Sequence, residues 1–151
     1  MMKYIIGCLS FVIVSCNFAN KQEMGSVNNK SDFSKVAKDT LITYDIEGIS
    51  TEGAETKVNY VNGKITKSVT RIYGETGQAT IIYEFGTDKI KVLETKYSYK
   101  SGIENVKSNE DMQLDYEISY FIDFKGNLIG KEMLDKIDIF KEFNEVVPFE
   151  L

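Results

Sequence analysis

Histidine, cysteine and paired carboxylates carry most of the chemistry that side chains perform, and this chain holds only two cysteines, Cys8 and Cys16, and no histidine among 151 residues. Without imidazole neither a Ser–His nor a Cys–His pair can form, so the usual nucleophilic triads are out of reach. Zinc, copper and haem sites of the ordinary kind lose their ligands for the same reason. Neither a G-x-S-x-G elbow, a phosphate-cradling glycine loop nor an Asp-x-Asp-x-Asp-Gly calcium loop occurs. Two chemistries survive: a hard oxygen site for calcium drawn from Glu52, Glu55, Glu75 and Asp88, and glycoside hydrolysis by a carboxylate pair. The same acids serve as solvated charges that keep turns and sheet edges soluble, and that is the expected role. The sequence therefore predicts no catalytic residue, no cofactor and no metal.

Cys16 is the exception. Met1 to Tyr4 carries a single positive charge at Lys3, Ile5 to Val14 is an apolar run of ten residues, and Ile13-Val14-Ser15 leads into Cys16. Such a run rises about 15 Å as a helix, roughly half of a bilayer's hydrocarbon core, so it reads as a signal rather than a permanent span. Ile-Val-Ser-Cys resembles the lipobox recognised by prolipoprotein diacylglyceryl transferase and the lipoprotein signal peptidase. The resemblance implies cleavage before Cys16, a diacylglyceryl group on its sulfur and a further acyl chain, of palmitate type, on its new amino group. Residues 1–15 would then be the signal peptide, and Cys8 would leave with it. Asn17 stands where aspartate marks inner-membrane retention in enterobacterial-type sorting, which favours the outer membrane within a bacterial cell envelope.

Loss of Lys3, the only charge in residues 1–15, moves the formal net charge from -5 to -6. That acidity argues against a nucleic-acid partner, which would need a basic patch. Membrane attachment would rest on lipid alone, at roughly 0.8 kcal/mol per buried methylene. With Cys16 acylated no thiol remains, so packing must hold the fold without disulfides. One proline, nine tyrosines and nine phenylalanines point to β-structure with polar outer faces.

Residues 16–30 are polar and nearly free of core-forming side chains, and read as a flexible tether from the lipidated cysteine. Residues 31–151 are expected as one domain, opening with a short helix over 32–38. Strand signals follow: 40–47 with Ile42, Tyr44 and Ile46 on one face, 55–61 with Val58 and Tyr60, and 64–73 as its hairpin partner across Asn62-Gly63. A fourth strand puts Ala79, Ile81, Tyr83 and Phe85 on one face. In 89–99 the apolar phase passes from Ile90 and Val92 to Leu93, Tyr97 and Tyr99, which predicts a β-bulge or a face-swapping twist. Residues 100–112 read as a long polar loop. Leu114, Tyr116, Ile118, Tyr120, Ile122 and Phe124 then alternate with Asp115, Glu117, Ser119, Phe121 and Asp123 and are predicted to share the core face. Lys125-Gly126-Asn127 turns into Leu128-Ile129. From Lys131 to Val146 the period lengthens through Leu134, Ile137, Phe140 and Phe143, predicting an amphipathic helix that Pro148 ends. The expected fold is α+β: an antiparallel meander of about six strands packed against this C-terminal helix, with a mainly β fold as the alternative.

Ile49-Ser50-Thr51-Glu52-Gly53-Ala54-Glu55, Tyr60 to Ile65, Tyr73-Gly74-Glu75-Thr76-Gly77 and Ile82-Tyr83-Glu84-Phe85 are similar to a family of small exported bacterial lipoproteins of unknown function. Its members show S-x-E-G-x-E, Y-x-N-G-K-L and Y-G-E-x-G motifs, and a later element resembles Tyr120 to Ile129. The match covers most of residues 41–130 and implies the same domain, with no activity attached.

Two surfaces could recognise a partner. Tyr97, Tyr99, Tyr116 and Tyr120 offer large area at low entropy cost, though burial beneath the helix accounts for them as well. Glu47, Glu52, Glu55 and Glu75 could face a basic partner. The functional expectation is a non-catalytic, membrane-anchored envelope binding module for an unknown envelope protein or ligand. An inhibitor of an exported hydrolase is the alternative, with 100–112 as its projecting loop, and a carboxylate-based enzyme comes third.

Overall fold

Alternation with a period of two runs through the chain from residue 39, and each alternating stretch folds as a strand beside its sequence neighbour. The computed structural model describes residues 38–131 and 136–151. Cys16, the tether, most of the predicted 32–38 helix and Leu134 lie outside the described residues. Seven strands form one antiparallel sheet in sequence order: β1 Asp39–Asp45, β2 Ala54–Val61, β3 Lys64–Tyr73, β4 Gly77–Phe85, β5 Ile90–Tyr99, β6 Met112–Ile122 and β7 Leu128–Ile129. One helix, α1 Phe140–Val146, follows. The fold is thus the expected α+β meander, with β-structure dominant. Leu128-Ile129 adds the short seventh strand by pairing with Phe121 and Ile122.

The Asn62-Gly63 turn takes the geometry its sequence demands, with φ of 53° and 79°. Gly126 also lies at positive φ, and a methyl there would strike the Phe140 ring, so the turn between β6 and β7 admits glycine for two reasons. Asp123 closes that turn by accepting the backbone N–H groups of Lys125 and Asn127 at 2.8 and 2.9 Å.

On the inner face Val58, Tyr60, Ile65, Ile81, Tyr83, Ile90, Val92, Tyr120 and Ile122 are buried under Ile139, Phe140, Phe143 and Val147. Phe143 is the centre of this cover: Tyr83 meets it edge-on with centroids 5.0 Å apart, and Phe85 and Phe140 stack beside it. Residues beyond the helix seal the far corner. Ile65 N–H donates to Phe149 O at 2.9 Å, Leu151 N–H to Gly63 O at 2.8 Å, and the Tyr60 hydroxyl to Pro148 O at 2.8 Å.

Three expectations are corrected. The C-terminal helix does not begin at Lys131: residues 136–139 are irregular, and among the described residues of this stretch only the seven of α1 are α-helical. The cause is a competing acceptor, because the Ile137 N–H is taken by both carboxylate oxygens of Glu94 at 3.0 Å. Leu114 does not share the core face; it is 52 % exposed. Lys96 pairs with Tyr116 but Tyr97 pairs with Leu114, so Asp115 is an extra residue that bulges β6 and reverses the faces before it. Phe124, past the strand's end, is also exposed. Finally, of the two irregularities expected in 89–99 the bulge occurs, in the ladder to β6 between Lys96 and Tyr97, but β5 does not swap faces. Its register with β4 is unbroken from Gly77↔Ser98 to Phe85↔Ile90, and Leu93, Tyr97 and Tyr99 simply lie on the outer face. A second bulge, at Thr66 in β3, lets Ile65 join Ser68, Thr70 and Ile72 on the inner face.

Candidate recognition site

Register alone assembles the outer face. Tyr73 of β3, Gln78 of β4 and Tyr97 of β5 stand in one row across three strands, with Leu114 of β6 as the fourth member. The next row reads Glu55, Arg71, Thr80, Thr95 and Glu117. Side chains two apart on a strand share a face, so Arg71 lies beside Tyr73 and Thr80 beside Gln78. Asn109 and Met112, where the 100–112 connection joins β6, wall one side. Arg71, Tyr73, Gln78, Thr80, Tyr97, Asn109 and Met112 together line a hollow of about 420 Å³, a size in the ~300–1,000 Å³ range of small-molecule sites.

That connection is an ordered wall. Residues 103–105 and 109–111 are single 3₁₀ turns, and Ser108 and Asp111 form a reciprocal capping box around the second. The backbone N–H groups of Lys107 and Ser108 donate to the Asp111 carboxylate at 2.9 Å each, which holds its pKa below the ordinary aspartate range. Lys100 Nζ donates to Glu110 O at 2.7 Å.

Elsewhere on the outer face polar side chains pair with one another. Lys67 and Lys91 flank Glu84 at 3.2 and 3.5 Å and lower its pKa, and Thr95 Oγ1 donates to Glu117. The hollow differs. Among the described residues the side chains of Arg71, Tyr73, Gln78, Thr80, Tyr97 and Asn109 make no hydrogen bond with one another or with any neighbour. Glu55, the register partner of Arg71, is engaged by Lys57 at 2.8 Å, and that contact first, with Arg71 adding a smaller part, lowers its pKa.

The four tyrosines singled out in the sequence separate two and two. Tyr97 and Tyr99 face outward, whereas the Tyr116 and Tyr120 hydroxyls turn inward and donate to the Glu94 carboxylate at 2.5 and 3.3 Å. Glu94 is fully buried and anchors Ile137, so its acceptor capacity is spent on structure. Burial, reinforced by the charge of Glu94, raises the Tyr120 pKa well above the usual phenol.

The acidic cluster is drawn together only in part. Glu47, Glu52 and Glu55 line an open groove of about 440 Å³ with Asp45, beside the β1–β2 connection. Glu75 sits on the β3–β4 turn outside that lining, and Asp88 lies on the β4–β5 turn at the opposite end of the sheet. The calcium quartet Glu52, Glu55, Glu75 and Asp88 is therefore not one site, and among the described residues no group of three or more Asp, Glu, Cys or His stands close enough to hold a metal ion.

Arg71, Tyr73, Gln78, Thr80 and Asn109 went unmarked in the sequence because their strand positions read as solvated. One signal was there: Arg71 is the only arginine among 18 basic residues. Set against protein families, curated proteins and solved structures, the chain matches none. No helix among the described residues is long and apolar enough to cross a membrane.

Proposed function

We propose that this protein is a lipid-anchored, non-catalytic binding module of a bacterial cell envelope, held through Cys16 and taking a polar ligand at the hollow on its outer sheet face. The observation that carries the binding half is the cluster of six polar side chains in one concavity that have no hydrogen-bond partner among the described residues. Polar groups that no neighbour satisfies remain free for a ligand, and here they are pre-positioned by three strands of a rigid sheet. The lipobox-like stretch before Cys16 carries the anchoring half.

The absence of catalysis is argued from chemistry. A carboxylate general acid needs its pKa raised toward neutrality, whereas the Glu55 carboxyl in the acidic groove is held below the ordinary glutamate range by Lys57. Glu94 is already saturated with donors.

A second reading, inhibition of an exported hydrolase, draws on the connection 100–111. It is braced by the Ser108–Asp111 box yet carries Ile103 at 43 % exposure, and a stiff loop with an apolar tip suits insertion into a partner's cleft. An Ile103→Asp change would abolish such an activity and leave the hollow untouched.

Both halves are testable in cells. Metabolic labelling with an alkyne fatty acid should mark the wild-type chain and not Cys16→Ser; equal labelling of the serine variant rejects the anchor. A photo-crosslinking amino acid at Asn109, on the rim of the hollow, should give adducts with an envelope component, while the same group at Lys141 on α1 should give none. No adduct from position 109 rejects the binding site.

A further inference from the structure

We propose that the hollow lined by Arg71, Tyr73, Gln78, Tyr97 and Asn109 binds an acidic sugar unit, a hydroxylated ring carrying a carboxylate. The inference deepens the binding-module reading and rests on it.

The chemistry of the lining selects this ligand class by steps. Among the described residues Arg71 is the only formal charge lining the hollow and has no carboxylate within 4 Å, since Glu55 beside it is held by Lys57. A planar guanidinium fork with no partner matches a carboxylate in two parallel hydrogen bonds, which a lysine would not do. The ligand is thus anionic. It is also hydroxylated, because an apolar body would strip water from Gln78, Thr80 and Asn109 and give nothing back. Carboxamides present a donor and an acceptor side by side, the pattern that neighbouring ring hydroxyls complement. Finally it is a ring. Tyr73 and Tyr97 flank Gln78 from the two adjacent strands, about 9–10 Å apart by strand spacing. That gap seats a pyranose against tyrosine surface, with Gln78 as its floor and the charge of Arg71 to one side.

Gly77 keeps this geometry tight: a methyl there would overlap the Tyr97 carbonyl, so the close approach of β4 and β5 beneath the site depends on glycine. The bulge at Asp115 contributes as well, because without it Met112 and Leu114 would face the core instead of bordering the hollow.

Free sugar acids and units of an acidic glycan share this chemistry. The test titrates the full chain, purified in detergent micelles, with glucuronate, glucose, acetate and trigalacturonate under ligand-observed NMR. Glucuronate should saturate at millimolar concentration, glucose should bind about tenfold more weakly for want of the charge-assisted pair, and acetate should not saturate. Arg71→Gln should bring glucuronate down to the level of glucose. Tyr97→Ala should abolish both, with thermal midpoints kept within about 2 °C of wild type to show that each variant is folded. Trigalacturonate binding more tightly than the monomer supports a glycan source, and equal binding supports a free acid. Glucuronate binding unchanged in Arg71→Gln, or no saturation by folded wild type up to ~100 mM, overturns the proposal. In the second case adducts from position 109 would leave the binding module standing with a different ligand, and their absence would remove both.

Discussion

The two faces of one sheet are built from the same strands and follow opposite rules. On the inner face side chains meet across long sequence separations and are closed in by Phe140, Phe143, Val147 and Phe149; on the outer face they meet only across neighbouring strands and stay open. Even the polar residues differ. Inside, Thr56 and Thr70 share a hydrogen bond at 2.8 Å and Glu94 collects three donors, because a buried polar group without a partner is costly. Outside, ion pairs such as Lys67–Glu84 form where they fall, and the hollow around Arg71 has none. The difference teaches where the molecule is spending its residues on stability and where it has left them for recognition.

The contrast is sharpest for large aromatic residues. Phe143→Ala removes the ring on which Tyr83, Phe85 and Phe140 converge and should cost ~3–5 kcal/mol. Phe121→Ala, on the outer face over Lys89, should cost less than ~1 kcal/mol. Urea melts of the two variants decide the matter, and equal losses would mean that the outer face is covered too.

A smaller effect is expected at Glu94. Glu94→Gln keeps one acceptor but introduces an amide donor facing Tyr116, Tyr120 and the Ile137 N–H, a loss of ~1–3 kcal/mol. Amide exchange at Ile137 should quicken in the same variant. If exchange there stayed as slow as in wild type, the carboxylate would not be what holds residues 136–139 out of the helix.

The alkaline limb comes next. Burial raises the pKa of Tyr60, Tyr83 and Tyr120 above the value of 10.0 for a free phenol. Their folded pKa exceeds the unfolded one, so their contribution is whole below pH 10 and is lost as pH rises beyond it toward the folded values. Stability followed by denaturant melts should therefore fall above pH 10, and tyrosinate absorbance from these three should appear together with unfolding. A stability profile flat to pH 12 would contradict the burial.

The smallest change should be a gain. Ser68 Oγ is buried opposite Val58 and Tyr83 and has no hydrogen-bond partner among the described residues. Ser68→Ala removes an unsatisfied group for little lost volume and should raise stability by up to ~1 kcal/mol. A loss of that size would reveal a bond to water at this position.

Much of the sheet could be read in advance because its information is local. Alternation in β1 to β6, Asn62-Gly63 and the glycine turns each act within a dozen residues, and every strand pairs with the next. What escaped reading was set at long range. The late start of α1 depends on Glu94, 43 residues from Ile137, and no periodicity in 131–146 could announce it. Leu114 keeps perfect alternation with Tyr116 in the sequence, yet the extra residue Asp115 in the ladder to β5 turns it outward. The hollow was hidden for a related reason: its residues come from the polar phases of three strands and from the 100–112 connection, and only register makes them neighbours. Arg71 shows how composition can still help, since a lone arginine among many lysines marks a place where a planar cation is wanted.

The closure of residues 148–151 on Tyr60, Gly63 and Ile65 also sets the timing of folding. Each hairpin can form as soon as its second strand exists, but the inner face has no cover until residues 139–151 arrive, and the Tyr60–Pro148 bond spans 88 positions. Contacts that enclose so long a loop are paid for late, after the local ones. Before those residues join, the sheet is a string of marginal hairpins, each unable to persist alone in water, and it gains its cooperative core only when residues 139–151 close over it.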